Sequence, residues 1–230
     1  MKKPVIYAFV FARGGSKGLP GKNIRDFCGK PLLAWSLEAA KASGLFDRLI
    51  VSTDSPEIAE TARAYGGETP FMRPDELASD SAAEWWAWRH ALDNLPLFDI
   101  FVSLPATAPL RRPETIKKCV DVYLQGEADL VLTVSPAQRH PSFNMVFLDE
   151  EAGASLILPP AGAISRRQDA RPAYDVSTVC YVTGPDFIRS HFGPFSGRTK
   201  AVVVTSEEAV DIDTPLDFAM AEFLFRQGGV

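Results

Sequence analysis

The chain reads as an α/β protein built on a mainly parallel sheet with helices on both faces. Two observations predict this class. Apolar, β-rich runs alternate with helix-patterned segments through residue 134, the order that lays parallel strands side by side with helical crossovers. The first run, residues 5–12, is apolar throughout and too short for a typical helix, as in a strand buried on both faces. With 230 residues and 46% apolar content, the chain suits a single domain, 1–230, with a full core.

After that strand, residues 13–23 hold four glycines and Pro20, too many breakers for regular structure, and form a loop. Residues 31–43 space Leu32, Leu33, Trp35, Leu37, Ala39 and Ala40 as a helix does, with Gly44 as its stop. Residues 48–53 are a second strand, and Ser55-Pro56 opens a helix that ends before Gly66-Gly67. A helix over 81–94, a strand over 100–104, a helix over 113–125 and a strand over 130–134 complete the alternation.

Between residues 138 and 176 prolines and glycines break the pattern, which reads as a β-rich excursion within the domain. Strands return over 178–182 and 201–205, and 215–226 is the final helix, with Thr214 as N-cap and Asp217 completing a capping-box-like start. Trp85, Trp86 and Trp88 fall in a helical pattern with alanines and read as core or subunit packing.

No run approaches the ~20 apolar residues of a membrane span. Three cysteines, Cys28, Cys119 and Cys180, lie far apart in sequence without paired spacing, so neither a disulfide framework nor a zinc site is expected, and the reading is a reduced, cytoplasmic protein. A net charge of -5 argues against a general nucleic-acid partner. Its distribution is uneven. Lys2, Lys3, Arg13, Lys17, Lys22, Arg25 and Lys30 face a single early acid, Asp26, whereas Glu207, Glu208, Asp211, Asp213, Asp217 and Glu222 crowd the end with only Arg226. Such a pairing can join a polyphosphate to a divalent metal; solvated charge on two separate surfaces is the alternative.

The glycine loop excludes two phosphate motifs. Gly21-Lys22-Asn23 lacks the hydroxyl residue of a P-loop, and no G-x-G-x-x-G is present. Gly14, Ser16 and Gly18 match the G-x-S-x-G of a serine hydrolase, but Leu19-Pro20-Gly21 prolongs the loop where the nucleophile elbow requires a helix. Glycine-freed amides beside Arg13, Lys17 and Lys22 suit triphosphate oxygens, with a purely structural turn as the alternative. Asp211 and Asp213, two apart in extended backbone before a helix, direct two hard oxygen ligands to one side, enough for magnesium; one of them capping the helix is the alternative.

Residues 13–23, Arg-Gly-Gly-Ser-Lys-Gly-Leu-Pro-Gly-Lys-Asn, resemble the signature loop of the CMP-sialic acid synthetases, the acylneuraminate cytidylyltransferases. Residues 46–54, 73–80 and 106–111, Arg167-Gln168, and 211–214 resemble further blocks of that family in its order. The resemblance implies a Rossmann-like fold of the nucleotide-diphospho-sugar transferase type, magnesium, CTP and an acidic keto sugar as substrates, and a homodimer joined through the 138–176 excursion.

It further implies that Arg13, Gly14, Gly15, Ser16, Lys17, Lys22 and Asn23 surround the CTP phosphates and ribose, and that Arg73, with backbone around Asp80 and Ala82, recognises cytosine. A surface Arg73 paired with Asp75 or Glu76 is the alternative. Arg167, Gln168 and Tyr181 would hold the sugar acid, unless the arginines there are merely solvated. Arg13, Lys22 and Asp211 would carry catalysis, with Asp211 and Asp213 on the metal. The sugar's anomeric hydroxyl would attack the α-phosphorus in line and release pyrophosphate; an octulosonate acceptor, or a silent nucleotide-binding relative, is the alternative. The chain departs from the best-known sialic acid enzymes at Pro105-Ala106, at Glu84 and at residues 177–180, near nucleotide and sugar, so CTP is the firmer expectation.

Overall fold

The computed structural model describes residues 3–159 and 171–228. In chain order the strands are β1 (Ile6–Phe11), β2 (Asp26–Phe27), β3 (Lys30–Pro31), β4 (Arg48–Ser52), β5 (Ile100–Ser103), β6 (Leu130–Pro136), β7 (Val146–Leu148), β8 (Ala154–Leu156), β9 (Tyr174–Thr183) and β10 (Thr199–Val203). The helices are α1 (Leu32–Ser43), α2 (Pro56–Ala64), α3 (Glu84–Asp93), α4 (Pro113–Leu124), α5 (Pro185–Ser190) and α6 (Pro215–Arg226). The central sheet has the order β10-β6-β9-β5-β1-β4. All its neighbours pair in parallel except β9, which runs antiparallel to both β5 and β6.

Alternation along the strands explains two apolar layers. From β1, Ile6, Ala8 and Val10 face one core with Leu33 and Leu37 of α1, Ile58 of α2 and Ile116 of α4. Tyr7 and Phe9 face the other, with Trp85 and Trp88 of α3 and Phe187 and Ile188 of α5. Helices therefore cover both faces, as the sequence pattern predicts. Trp85 and Trp88 are core; Trp86 is half exposed, its ring edge-on to Phe192 with the Arg89 guanidinium over both.

Helix ends follow the local chemistry. Gly44 terminates α1 at φ 67°, a left-handed conformation that glycine adopts without strain. Ser55 caps α2 by accepting from the Ile58 amide, and Thr214 and Asp217 form the reciprocal capping box of α6. The helix expected over 81–94 begins only at Glu84, because residues 79–83 turn along the cleft described below. The short α5 and the β2/β3 hairpin carry too few residues to show a period, and sequence patterning missed them. Within the excursion, β7 and β8 form an antiparallel hairpin bearing exposed Val146, Phe147 and Leu148.

A third, smaller core decides how the chain ends meet. Leu19 of the glycine loop, Phe27 of β2, Leu32 of α1, Val210, Ile212 and Phe218 of α6 pack together. Phe27 meets Phe218 and Phe225 edge-to-face at 5.5 and 5.7 Å, and Trp35 donates from Nε1 to the Phe27 carbonyl at 2.9 Å. Apolar burial here clamps the first loop onto the last.

Cys119 of α4 and Cys180 of β9, distant in sequence, are neighbouring buried free thiols; their hydrogen bond and burial push the Cys119 pKa up. A topological juxtaposition of this kind leaves no trace in spacing.

Candidate active site

A cleft of about 490 Å³ opens where the chain leaves the carboxyl ends of parallel strands β1, β4 and β5, the edge at which open α/β sheets bind ligands. Of the expected nucleotide residues, Arg13, Ser16, Lys17, Lys22, Asn23, Arg73, Asp80 and Ala82 all line it. Gly14 and Gly15 do not. The expectation of a freed amide fails at Gly14, whose N–H donates to Asp54 Oδ1 at 2.9 Å.

The loop is held from several sides. Asn23, almost fully buried, donates from Nδ2 to the Arg13 carbonyl at 2.8 Å. Gly18 presses against the last loop so closely that a Cβ there would lie 2.4 Å from the Asp213 carbonyl oxygen. Lys22 Nζ donates to the Ile212 carbonyl at 2.8 Å and to Asp213 Oδ1 at 2.7 Å. Arg13 and Lys17 converge on the Asp80 carboxylate at 2.7 and 2.6 Å. The Lys17 and Arg13 contacts hold the Asp80 pKa below the usual carboxylate range.

Arg73 is not the surface residue of the alternative reading. It is 6% exposed, donates from Nη2 to the Ser52 carbonyl at 3.2 Å and stands 4.0 Å from Asp54 Oδ1. Asp54, which follows the end of β4, thus links the glycine loop to Arg73. Its place after a parallel strand is the signal that marks it.

At the other end, alternation sends Val210 and Ile212 into the third core and leaves Asp211 and Asp213 on the opposite side. Asp213 is exposed and lines the cleft; Asp211 lies deeper, behind Thr107 and Thr178, which line it. Burial raises the Asp211 pKa and the Asp213 charge adds to the rise, while hydrogen bonding from Thr107 acts the other way. Asp211 Oδ1 and Thr178 Oγ1 are buried without a hydrogen-bond partner. An unpaired buried carboxylate oxygen beside a second carboxylate is a fitting donor set for a hard cation such as Mg²⁺. Thr214 caps α6 with Asp217, so neither carboxylate is needed as the cap.

Thr178 reaches the cleft because β9 bulges. Leu132 pairs with Tyr181 but the next residue, Thr133, pairs with Ser177, and the extra β9 residues bend the strand. The Thr133 hydroxyl fills the bulge, accepting from the Cys180 amide at 3.2 Å and from Ser177 Oγ at 2.9 Å. Arg111, fully buried, holds the other side: Nη1 donates to Ser36 Oγ at 2.8 Å, Nη2 to the Pro105 carbonyl at 2.7 Å, and Nε to the Val179 carbonyl. Burial lowers its pKa to about 10. Arg111 is an anchoring residue to which the sequence alone gave no role.

Tyr181 does not line the cleft but is half-buried behind it, its pKa pushed up to about 12 by burial and by the charges of Glu84 and Asp211. Glu84 does line the cleft. Water reaches it, yet protein surrounds its carboxyl closely enough to raise its pKa. Arg167 and Gln168 lie outside the described residues. No histidine lines the cleft, and the Ser16 segment continues as loop into a 3₁₀ turn at Lys22–Ile24, so the hydrolase arrangement is absent among the described residues.

Residues 7–227 match the family model for cytidylyltransferases. The chain is 36% identical to the post-translational flagellin modification protein B of Campylobacter coli, over 96% of this chain and 95% of that one. It is 34% identical to a CMP-N,N'-diacetyllegionaminic acid synthase of Campylobacter jejuni, over 95% and 94%. To an N-acylneuraminate cytidylyltransferase of Streptococcus agalactiae it is 33% identical, over 94% of this chain and 52% of that one. Among solved structures, a CMP:2-keto-3-deoxy-manno-octonic acid synthetase complexed with CTP superposes with a TM-score of 0.74, covering 97% and 99% of the two chains at 19% identity, a likeness of fold. The chain therefore belongs to the cytidylyltransferase family of nucleotidyltransferases, among the CMP-sialic acid synthetases.

Proposed function

We propose that the protein transfers CMP from CTP to the anomeric hydroxyl of a nonulosonic sugar acid of the legionaminic, pseudaminic or sialic type, with Mg²⁺ as cofactor. The observation that carries this reading is the meeting, in one cleft, of Arg13, Lys17 and Lys22 with Asp213, and with Asp211 behind Thr107 and Thr178 in its wall. Relatives named for legionaminic, pseudaminic and N-acylneuraminic acids support a nonulosonate acceptor, whereas the octonic acid enzyme is similar in fold alone.

Arg13, Lys17 and Lys22 bind the triphosphate by charge-assisted hydrogen bonds, and Arg73 faces the base. Asp211 and Asp213 would hold Mg²⁺, which would supply positive charge to neutralise the negative charge of the phosphates. The sugar hydroxyl gives up its proton to water and its oxygen forms a bond to the α-phosphorus as the bond to the β-phosphate oxygen breaks, while Lys22 and Arg13 neutralise the departing pyrophosphate. Alignment and charge compensation carry the catalysis. The exposed Val146, Phe147 and Leu148 of the hairpin, with Tyr174 and Val176 of β9, support its use as a homodimer face, across which residues of the excursion, Arg167 and Gln168 among them, would meet the sugar together with Tyr181.

Pyrophosphate release with CTP, Mg²⁺ and a panel of nonulosonic and octulosonic acids tests the reading. Release is expected with a nonulosonate and not with UTP. CTP binding without release on any acceptor would instead make the protein a silent nucleotide-binding module.

A further inference from the structure

Three acids line the cleft, and only one forms no ion pair among the described residues. Asp80 is held by Arg13 and Lys17, and Asp213 by Lys22. Glu84, the first residue of α3, has no cationic partner among the described residues; its Oε1 accepts a single hydrogen bond, from Trp88 Nε1 at 3.1 Å. A carboxylate without an ion pair, offset only by the more distant charge of Arg73, is out of place in a cleft built for a triphosphate and a sugar acid. It would repel both unless it faces a part of the ligand that carries hydrogen-bond donors and no charge.

Position selects that part. Glu84 interacts electrostatically with Arg73 on the base side and with Asp211 on the metal side. In CTP the group that links the base to the α-phosphate is the ribose, whose vicinal hydroxyls offer two donors. A carboxylate with one oxygen anchored by an indole N–H and the other free suits those donors, and acidic side chains read ribose hydroxyls in other nucleotide sites. Pro105 and Ala106, which also line the cleft, bring no side-chain hydrogen-bonding group, and Asn23 has its Nδ2 committed to the Arg13 carbonyl.

We infer that Glu84 is the ribose-reading residue of this cleft, accepting hydrogen bonds from the nucleotide's sugar hydroxyls and so selecting ribonucleoside triphosphates. The inference rests on the CTP reading above.

The test compares CTP with 2',3'-dideoxy-CTP in pyrophosphate release by wild type, Glu84→Ala and Glu84→Gln, and repeats the comparison as equilibrium binding by calorimetry. Glu84→Ala is expected to lower kcat/KM for CTP by about 10- to 100-fold, the effect of losing hydrogen bonds to a charged group. It should leave the dideoxy substrate within about 3-fold and the KM of the sugar acid unchanged. Glu84→Gln keeps the side-chain volume and one acceptor oxygen, and should fall between the two. Equal losses on both nucleotides in both variants, or a change confined to the sugar acid's KM, would overturn the inference while leaving CTP transfer intact. Wild type that neither binds CTP nor releases pyrophosphate would overturn the CTP reading and this inference with it.

Discussion

Lys22 Nζ joins the Asp213 carboxylate at 2.7 Å across 191 positions of sequence, and the same ammonium reaches the Ile212 carbonyl at 2.8 Å. The first loop and the last thereby share one cation at the mouth of the cleft. Lys22→Met should remove a pyrophosphate-facing charge and lower kcat by about 100-fold, as loss of one preorganised donor does. Steady-state pyrophosphate release at saturating CTP checks it; an unchanged kcat would remove Lys22 from catalysis.

Asp211→Asn should separate activity from stability. Burial raises the folded-state pKa of this carboxylate, so the native state holds its proton more tightly than the unfolded chain. Stability contributed by the group is then present at low pH and is lost as pH rises from the unfolded pKa through the raised folded one. Above that window a neutral asparagine should be the more stable occupant, raising Tm by about 2–4 °C per kcal/mol relieved in a chain of this size. Activity should vanish, together with the rise in Tm that Mg²⁺ and CTP confer on the wild type. Thermal melts at pH 4 and pH 7.5, with and without Mg²⁺ and CTP, provide the measurement.

Gly18→Ala places a methyl 2.4 Å from the Asp213 carbonyl oxygen, and backbone on both sides must yield. Destabilisation of about 1–3 kcal/mol in urea is expected. KM for CTP should rise as well, because the two loops are pushed apart where they frame the cleft.

Arg111→Met leaves the Pro105 and Val179 carbonyls and Ser36 Oγ without their shared donor in a fully buried place. Each buried group left unsatisfied costs about 1–3 kcal/mol, so chemical denaturation should register a loss of at least about 2 kcal/mol. Lysine, a point charge without the planar fork, should restore little of it.

Much of the fold was legible because strand and helix periods in this chain are clean. α6 begins at the predicted proline, Thr214 caps it as expected, and the buried run of β1 lies in mid-sheet. The antiparallel insertion of β9 was not legible, since a period of two carries no direction. In the site, residue type and spacing brought forward the loop cations and the two aspartates, and the family resemblance brought forward Arg73. The roles of Asp54, Thr178 and Arg111 were hidden because they depend on a strand end, a bulge and a guanidinium spanning separate elements. The Cys119 and Cys180 thiols meet for the same reason, through topology alone.

On the proposed function, the pairing of Asp80 with Arg13 and Lys17, and of Asp213 with Lys22, would make nucleotide arrival an exchange of anions. A loop with three bare cations would splay by self-repulsion and draw any polyanion from solution, with a steep dependence on ionic strength. Here the protein's own carboxylates pair with the loop cations, and on the proposed function they would stand in for phosphate and reclaim the cations when pyrophosphate departs. The cleft would thus carry its own device for letting product go.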